Sequence, residues 1–199
     1  MNQSEIIELC QKSEAEYELM INGIEEGTIN VTYDYAFEKY FRFKQKGIIG
    51  HESYEDRSFD LFLILSKQLE GRDYWRLLNE SYVSLKHPLL WKHEIREAFQ
   101  SDEPDQEYYM NQESREFYNN LPDEVTIYRG MSVTESIGKN YGISWTLSKD
   151  VADQFTKIDS SGLPTSEKKV VVSLMVPKDD IIAYSNEREE QEIIYLHSG

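Results

Sequence analysis

Cysteine and histidine are scarce in this 199-residue sequence, which has one cysteine, Cys10, and four histidines. A single cysteine excludes an internal disulfide framework and any zinc site built from several cysteines. The histidines do not follow the spacing of metal ligands; they are His51, His87, His93 and His197. We therefore expect no metal site, and the low cysteine content favours a reducing, cytoplasmic compartment.

Long apolar runs are absent too. No run approaches the ~20 residues that span a bilayer, and no charged leader precedes an apolar segment at the N-terminus. We therefore expect neither insertion into a membrane nor secretion. The Gly-x-Gly-x-x-Gly fingerprint that binds dinucleotides after a strand is also missing. The sequence therefore contains no Rossmann-type motif for binding a dinucleotide cofactor.

Basic side chains are few. Lys and Arg together number 21 against 37 Asp and Glu, which gives a formal net charge of −16. Acidic residues are in excess both in residues 1–120 and in residues 121–199. A surface of this charge repels a phosphate backbone and counts against nucleic-acid binding. A small-molecule cofactor or a basic protein partner suits the charge better.

The residues that are abundant indicate a globular protein, with 39% hydrophobic residues and 14 Tyr, 8 Phe and 3 Trp. Residues 1–120 carry apolar and aromatic side chains at the spacing of amphipathic helices. The predicted helices cover residues 4–24, 33–41, 59–69, 73–85, 88–99 and 105–118, with caps at Asp73 and Asp105 and stops at Gly47 and Pro88.

After residue 120 the apolar spacing changes to the alternation that is typical of strands. The predicted strands cover residues 124–129, 143–147, 169–176, 181–184 and 192–197, and Ser148 is placed to cap a short helix as far as residue 155. Five short strands bury little on their own. We therefore expect a helical lobe, residues 1–120, packed on a β-rich core, residues 121–199, as one integrated domain of the α+β class.

Carboxylates crowd the segment 186–196 just before an apolar, strand-like run. Residues two apart share a face of a strand, so Glu190 and Glu192 point the same way. On its own this segment is more typical of a solvated acidic turn. A carboxylate pair at the edge of a sheet can, however, act on a sugar or on the nucleophile that attacks it.

Two earlier strands supply partners for these carboxylates. Strand 125–130 places Arg129 on the same face as two apolar residues, and strand 142–148 places Ser144 and Thr146 together on one face. An arginine strand, a hydroxyl strand and a Glu-x-Glu strand, in that order, resemble the Arg-Ser-Glu class of ADP-ribosyltransferases. The resemblance covers residues 121–199. Its motifs are Tyr128-Arg129-Gly130, Ser144-Trp145-Thr146 and Glu190-Gln191-Glu192.

The resemblance implies a split β-sheet core and a transfer of ADP-ribose from NAD, with release of nicotinamide. NAD is then a substrate that is cleaved at its glycosidic bond. A glutamate at the position of Glu190 goes with arginine acceptors in this family, so it implies transfer to an arginine of a protein. The implied partners are NAD and an unidentified acceptor protein of basic character, with no nucleic acid and no membrane.

The resemblance also implies roles for single residues. Glu192 would stabilise positive charge on the ribose, Ser144 would hold Glu192, and Glu190 would orient or deprotonate the acceptor. Arg129 would bind the pyrophosphate in bidentate fashion, although an ordinary surface ion pair is the alternative for this residue. The remaining NAD contacts would come from the residues that flank these groups: Tyr128, Gly130, Trp145 and Thr146.

Several alternatives stay open at this point. Glu187 with Glu189, or Glu189 with Gln191, could replace Glu190 and Glu192 as the motif pair. The loop 157–168 lacks the aromatic or arginine that relatives place over the nicotinamide ring, so Trp145 or Phe155 would have to supply that contact. NAD hydrolysis, with water as the acceptor, and an inactive binding module are the competing functions.

Overall fold

The computed structural model describes residues 3–45, 53–85, 88–159 and 162–197. Within these ranges the protein is a mixed α+β structure with eight α-helices and one five-stranded antiparallel sheet. This confirms the predicted α+β class. None of the helices in the described ranges is both long enough and apolar enough to span a bilayer.

The chain forms two compact units. The first comprises Met1–Trp91 with Glu103–Asp105, and the second comprises Lys92–Asp102 with Gln106–Gly199. The helices between residues 92 and 119 therefore belong to the same unit as the sheet, although the change in apolar spacing at residue 120 separates them in sequence. Whether the whole chain folds as one integrated domain stays a prediction.

The first unit contains the four helices predicted for it: α1 (Gln3–Glu25), α2 (Tyr33–Gln45), α3 (Ser53–Leu65) and α4 (Gly71–Val83). Their buried core is rich in aromatic rings, among them Tyr40, Phe59 and Trp75. The aromatic stripes of the sequence thus serve as core packing. Gly47, the predicted stop after α2, lies outside the described residues.

The start of α4 differs from the prediction. The helix begins at Gly71, whose φ of 51° lies in the left-handed region, and not after a cap at Asp73. The backbone N–H of Gly71 donates to the carboxylate of Glu103 at 2.7 Å. A side chain distant in sequence therefore satisfies this helix start, which a local capping pattern cannot indicate.

Two helices of the second unit precede its sheet, α5 (Lys92–Phe99) and α6 (Gln112–Asn119). The predicted helix from Asp105 is wrong at its start, because Asp105 has a φ of 64°, whereas an N-cap residue typically has an extended backbone. Asn111 is the cap instead, and its side-chain oxygen accepts from the Ser114 N–H at 2.8 Å. The predicted helix from Pro88 opens with a 3₁₀ turn before α5 begins.

The sheet contains all five predicted strands: β1 (Glu124–Ser132), β2 (Ser144–Thr146), β3 (Lys169–Pro177), β4 (Ile181–Ser185) and β5 (Glu192–Tyr195). Their order across the sheet is β3-β1-β2-β5-β4, and neighbouring strands run antiparallel. The short strand β2 is therefore central, with β1 on one side and β5 on the other.

Two short helices connect these strands, α7 (Val133–Gly138) and α8 (Lys149–Phe155). Ser148 caps α8 as predicted, and its hydroxyl accepts from the Val151 N–H at 3.3 Å. The sequence interpretation missed α7. Its signal is a serine followed three residues later by a glutamate, Ser132 and Glu135, which is the pattern of a capping box.

Candidate active site

Residues of the three sequence motifs lie on three adjacent strands, with Glu190 and Gln191 in the loop just before the third strand. Tyr128 of β1 is opposite Thr146 of β2, and Thr146 is opposite Glu192 of β5. The three positions thus form one row across the centre of the sheet. Thr146 and Glu192, 46 positions apart in sequence, are thereby direct cross-strand neighbours.

Glu192 is the first residue of β5, and its carboxylate is held from two sides. The Ser144 hydroxyl donates to Glu192 Oε1 at 2.5 Å, and the Arg188 guanidinium contacts Glu192 Oε2 at 3.1 Å. The residue is only 4% exposed. A buried carboxylate with this many donors keeps a fixed orientation, because each charge-assisted hydrogen bond constrains one oxygen.

Glu190 lies in the acidic loop, residues 186–191, that connects β4 to β5. Its carboxylate contacts the same guanidinium, with 3.3 Å between Arg188 Nε and Glu190 Oε2. Glu190 and Glu192 therefore face a common guanidinium, but Glu190 precedes β5 and the predicted shared strand face is not the reason. Burial raises the pKa of Glu190 above its ordinary value of 4.5; Arg188 opposes this shift, and the charge of Glu192 adds to it.

The backbone of the acidic loop is fixed by hydrogen bonds at both ends. The Thr146 hydroxyl donates to the carbonyl of Glu190 at 2.6 Å, and the Gln191 N–H donates to the side-chain oxygen of Asn186 at 3.1 Å. Glu189 and Gln191 have φ values of 58° and 48°, in the left-handed region. This kinked path places the two carboxylates of residues 190 and 192 beside each other.

The alternative motif pairs occupy different surroundings. Glu187, Glu189 and Gln191 are exposed, whereas Glu190 is half-buried and Glu192 is buried. Glu192 is the carboxylate that Ser144 contacts. Of the carboxylates in this segment, Glu190 and Glu192 are therefore the two that lie beside β2.

Arg129 is held within the protein. Its Nε contacts Glu135 Oε1 at 3.0 Å and its Nη1 donates to the backbone carbonyl of Ser144 at 2.5 Å. The same oxygen of Glu135 accepts from the Gly142 N–H at 2.9 Å. The ion pair that was the alternative for Arg129 is therefore present, and the side chain is 18% exposed. Since Nε and Nη1 already have partners in the protein, only the remaining N–H donors of the guanidinium could bind a ligand.

Glu135 and Gly142 are site residues that the sequence interpretation missed. A Cβ atom at Gly142 would overlap the guanidinium of Arg129, so a side chain here would displace the arginine. Glycine at this position allows Arg129 to lie against the backbone of the segment that leads into β2. The capping-box pattern of Ser132 and Glu135 is the one local signal that pointed to Glu135.

Gly130 also allows a close approach. A Cβ at Gly130 would overlap the carbonyl oxygen of Ala152 and lie 3.0 Å from the Cβ of Phe155. The helix α8 therefore packs directly on β1. Phe155 is 37% exposed and lies beside this contact. It is the candidate from the sequence that remains available to stack on a planar ring.

Trp145 is not available for that role. The residue is 2% exposed, its ring nitrogen donates to the carbonyl of Gly142 at 3.2 Å, and its ring packs edge-on against Tyr141 at 5.5 Å. Alternate residues of a strand face opposite sides of the sheet, so Trp145 points away from Ser144. The expectation of a direct contact between Trp145 and NAD is corrected to a role in the core.

Among the described residues, no group of three or more His, Cys, Asp and Glu side chains is arranged to hold a metal ion. No family model, no curated protein and no solved structure matches this chain. The chemistry of the site therefore has to be inferred from its own geometry.

Proposed function

We propose that this protein is an NAD-dependent mono-ADP-ribosyltransferase that modifies arginine and releases nicotinamide. The observation that carries the proposal is the hydrogen bond from Ser144 to the buried carboxylate of Glu192, beside a row of paired residues whose member on β1 is Tyr128. The proposal includes the finer fold assignment, in which the second unit's sheet is a split core of the ADP-ribosyltransferase type.

The chemistry follows from the fixed carboxylate. Breaking the bond between the ribose and nicotinamide builds positive charge on the ribose, and a preorganised anion lowers the energy of that state. Glu192 would accept a hydrogen bond from a ribose hydroxyl while its charge faces the sugar. Ser144 would keep the carboxylate in place, because the 2.5 Å hydrogen bond constrains one of its oxygens.

Arg129 would have two functions in this account. It holds the backbone of Ser144, which positions the hydroxyl strand, and its remaining donors would contact a phosphate of NAD. Tyr128, which precedes it, would bring the sugar-phosphate backbone close to β1; the expected NAD contact at Gly130 is corrected, because α8 packs against that glycine. Phe155, exposed beside Gly130, would stack on the nicotinamide or adenine ring.

An arginine acceptor is supported by a contact within the protein itself. The guanidinium of Arg188 already lies against the carboxylates of Glu190 and Glu192, at 3.3 Å and 3.1 Å. The paired carboxylates therefore have the spacing to bind a guanidinium, in the way that arginine prefers. The net charge of −16 favours a basic acceptor protein, and a cytoplasmic location remains part of the proposal.

NAD hydrolysis is the second candidate, and one observation favours it. Arg188 covers the carboxylate of Glu190, so an external arginine has to displace it, whereas a water molecule does not. Incubation with NAD and the small guanidino compound agmatine distinguishes the two functions. If the protein transfers ADP-ribose, the products are nicotinamide and ADP-ribosyl-agmatine. If it hydrolyses NAD, the products are nicotinamide and free ADP-ribose. An inactive binding module releases no nicotinamide.

A further inference from the structure

Arg188 lies where the proposed reaction needs an acceptor. We propose that the protein ADP-ribosylates its own Arg188, so that this residue is a modification site as well as an ion-pair partner. The inference rests on the proposed function, because it requires the same cleavage of NAD. It adds the identity of one substrate, namely a guanidinium four residues before Glu192 on the same chain.

The geometry that supports this is a double contact. Arg188 Nε lies 3.3 Å from Glu190 Oε2, and Arg188 Nη2 lies 3.1 Å from Glu192 Oε2. The first carboxylate is the one assigned to orient the acceptor, and the second is the one assigned to the ribose. Ribose bound at Glu192 would therefore come within reach of the Nη atoms of Arg188 without any movement of the loop backbone.

The acidic loop is suited to present the guanidinium. The N–H of Glu189 donates to the carbonyl of Asn186 at 3.0 Å and the N–H of Gln191 to its side-chain oxygen at 3.1 Å, so Arg188 projects from a closed turn. Its side chain is 43% exposed. Arg129, at 18% exposed and hydrogen-bonded to the backbone of Ser144, is less accessible.

The reaction balances with NAD as the only co-substrate. An Nη atom of Arg188 forms a bond to C1′ of the nicotinamide-bearing ribose as the bond from C1′ to the nicotinamide nitrogen breaks. Nicotinamide leaves with the electron pair of that bond, and the proton lost by the guanidinium passes to Glu190. Oxidation states do not change, and the products are nicotinamide, a proton and the ADP-ribosylated chain.

Holding the acceptor next to the reacting carbon gives Arg188 an advantage over a free guanidine. A group held in place reacts as if it were present at very high local concentration. The modification should therefore be intramolecular. The rate per molecule should be the same in concentrated and dilute protein.

The test uses the full chain with NAD, followed by peptide mass spectrometry. We expect one ADP-ribose on the peptide that contains Arg188. Arg188→Lys keeps the positive charge but not the guanidinium, and it should lower the ADP-ribose incorporated per chain by roughly tenfold or more, because the tethered acceptor is lost. Arg115→Lys is the matched control, since Arg115 packs on the ring of Tyr108 at 4.9 Å in the same unit. It should incorporate as much as wild type.

A mixing experiment tests whether the reaction is intramolecular. Glu192→Gln has an intact Arg188 but lacks the ribose-facing charge, so its Arg188 should stay unmodified even when wild-type protein and NAD are present. Modification of this variant by wild type would overturn the proposal, as would equal incorporation by wild type and Arg188→Lys.

A parallel incubation with NAD and agmatine distinguishes failure of this inference from failure of the proposed function. ADP-ribosyl-agmatine with an unmodified Arg188 overturns the inference and leaves the function standing. If Arg188→Lys modifies agmatine faster than wild type does, and Arg188 of the wild type stays unmodified, then Arg188 blocks the acceptor site and self-modification is overturned. Absence of nicotinamide release with and without agmatine overturns both.

Discussion

At the residue scale, Glu192 and Glu190 differ in burial and in partners although they are two positions apart. Glu192 is buried and receives the Ser144 hydroxyl, whereas Glu190 is half-buried and its side chain contacts Arg188. Glu192 is thus a buried carboxylate held by both Ser144 and Arg188, whereas Glu190 is half-buried and shares the contact with Arg188. Such a difference in environment is what allows neighbouring carboxylates to perform different steps.

Glu190→Gln should therefore separate transfer from hydrolysis. The amide keeps the shape of the side chain but cannot take a proton from an arginine, so transfer to agmatine should fall by roughly 10²–10⁴-fold, the contribution of a general base. Slow NAD hydrolysis should continue, since the charge of Glu192 at the sugar is unchanged. The measurement is the ratio of ADP-ribosyl-agmatine to free ADP-ribose.

The pH profile and a second variant provide the controls for Glu190. Burial raises the pKa of this carboxyl, so transfer should be lost as the pH falls, at a pH above the ordinary glutamate value of 4.5, and Glu190→Gln should abolish that limb. The exposed Glu187 is the matched position, and Glu187→Gln should retain transfer. Loss of transfer in Glu187→Gln, with Glu190→Gln unaffected, would assign the motif to Glu187 and Glu189.

At the element scale, the site depends on how β1 and α7 approach the segment before β2. Arg129 of β1 donates to the backbone of Ser144, and Glu135 of α7 accepts both from Arg129 and from the N–H of Gly142. These contacts link three elements around one guanidinium. Because Gly142 has no side chain, the guanidinium can lie directly against the backbone.

Gly142→Ala should disrupt this arrangement. The added Cβ overlaps the guanidinium, and such overpacking costs about 1–3 kcal/mol of unfolding free energy. The matched control is Gly138→Ala, because a Cβ there meets no atom within 4 Å. Urea unfolding should show a lower midpoint for Gly142→Ala than for Gly138→Ala. Equal midpoints would mean that Arg129 is not held at this position.

The strands were more predictable from the sequence than the helix starts. The spacing of apolar residues indicated all five strands within a few residues of their observed ends. In β1 the alternation matches the burial, since Val125 and Ile127 are buried while Glu124 and Thr126 are exposed. Asp73 and Asp105 fit local capping patterns but do not cap the helices assigned to them. The start of α4 depends on Glu103, which is distant in sequence, and the backbone of Asp105 is left-handed. A local capping pattern contains neither feature.

The contacts of the candidate site were likewise predictable only in part. The contact between Ser144 and Glu192 follows from strand register and was expected. The bridge from Arg188 to both carboxylates was not predicted, because a long side chain can adopt many rotamers and only the folded loop selects one. The burial of Trp145 could have been inferred, since alternation places it opposite Ser144.

At the scale of the whole molecule, the second unit extends beyond the β-rich part of the sequence. Phe117 of α6 stacks on Tyr184 of β4 at 4.2 Å, and the Tyr118 hydroxyl donates to the carbonyls of Lys178 and Ile181 at 3.3 Å and 3.1 Å. Helix α6 therefore covers the β4 side of the sheet. Part of the burial of this unit comes from residues before position 120.

Two fragments test this organisation. Residues 121–199 alone lack α6 and leave Tyr184 uncovered, so too little apolar surface is buried to offset the chain entropy. We expect no cooperative thermal transition, by circular dichroism, for this fragment. Residues 92–199 restore α5 and α6 and should unfold cooperatively. A cooperative transition for 121–199 would show that these helices are dispensable.

The most direct test of the central claim is the rate of nicotinamide release from NAD by wild type and by Glu192→Gln. The amide keeps the shape of the side chain and an oxygen for the Ser144 hydroxyl, so the fold should be preserved, which circular dichroism checks. If the charge of Glu192 stabilises the ribose, the rate should fall by roughly 10²–10³-fold, the scale of a lost electrostatic stabiliser. An equal rate in the two proteins, or no release by wild type, would contradict the assignment of this site to NAD cleavage.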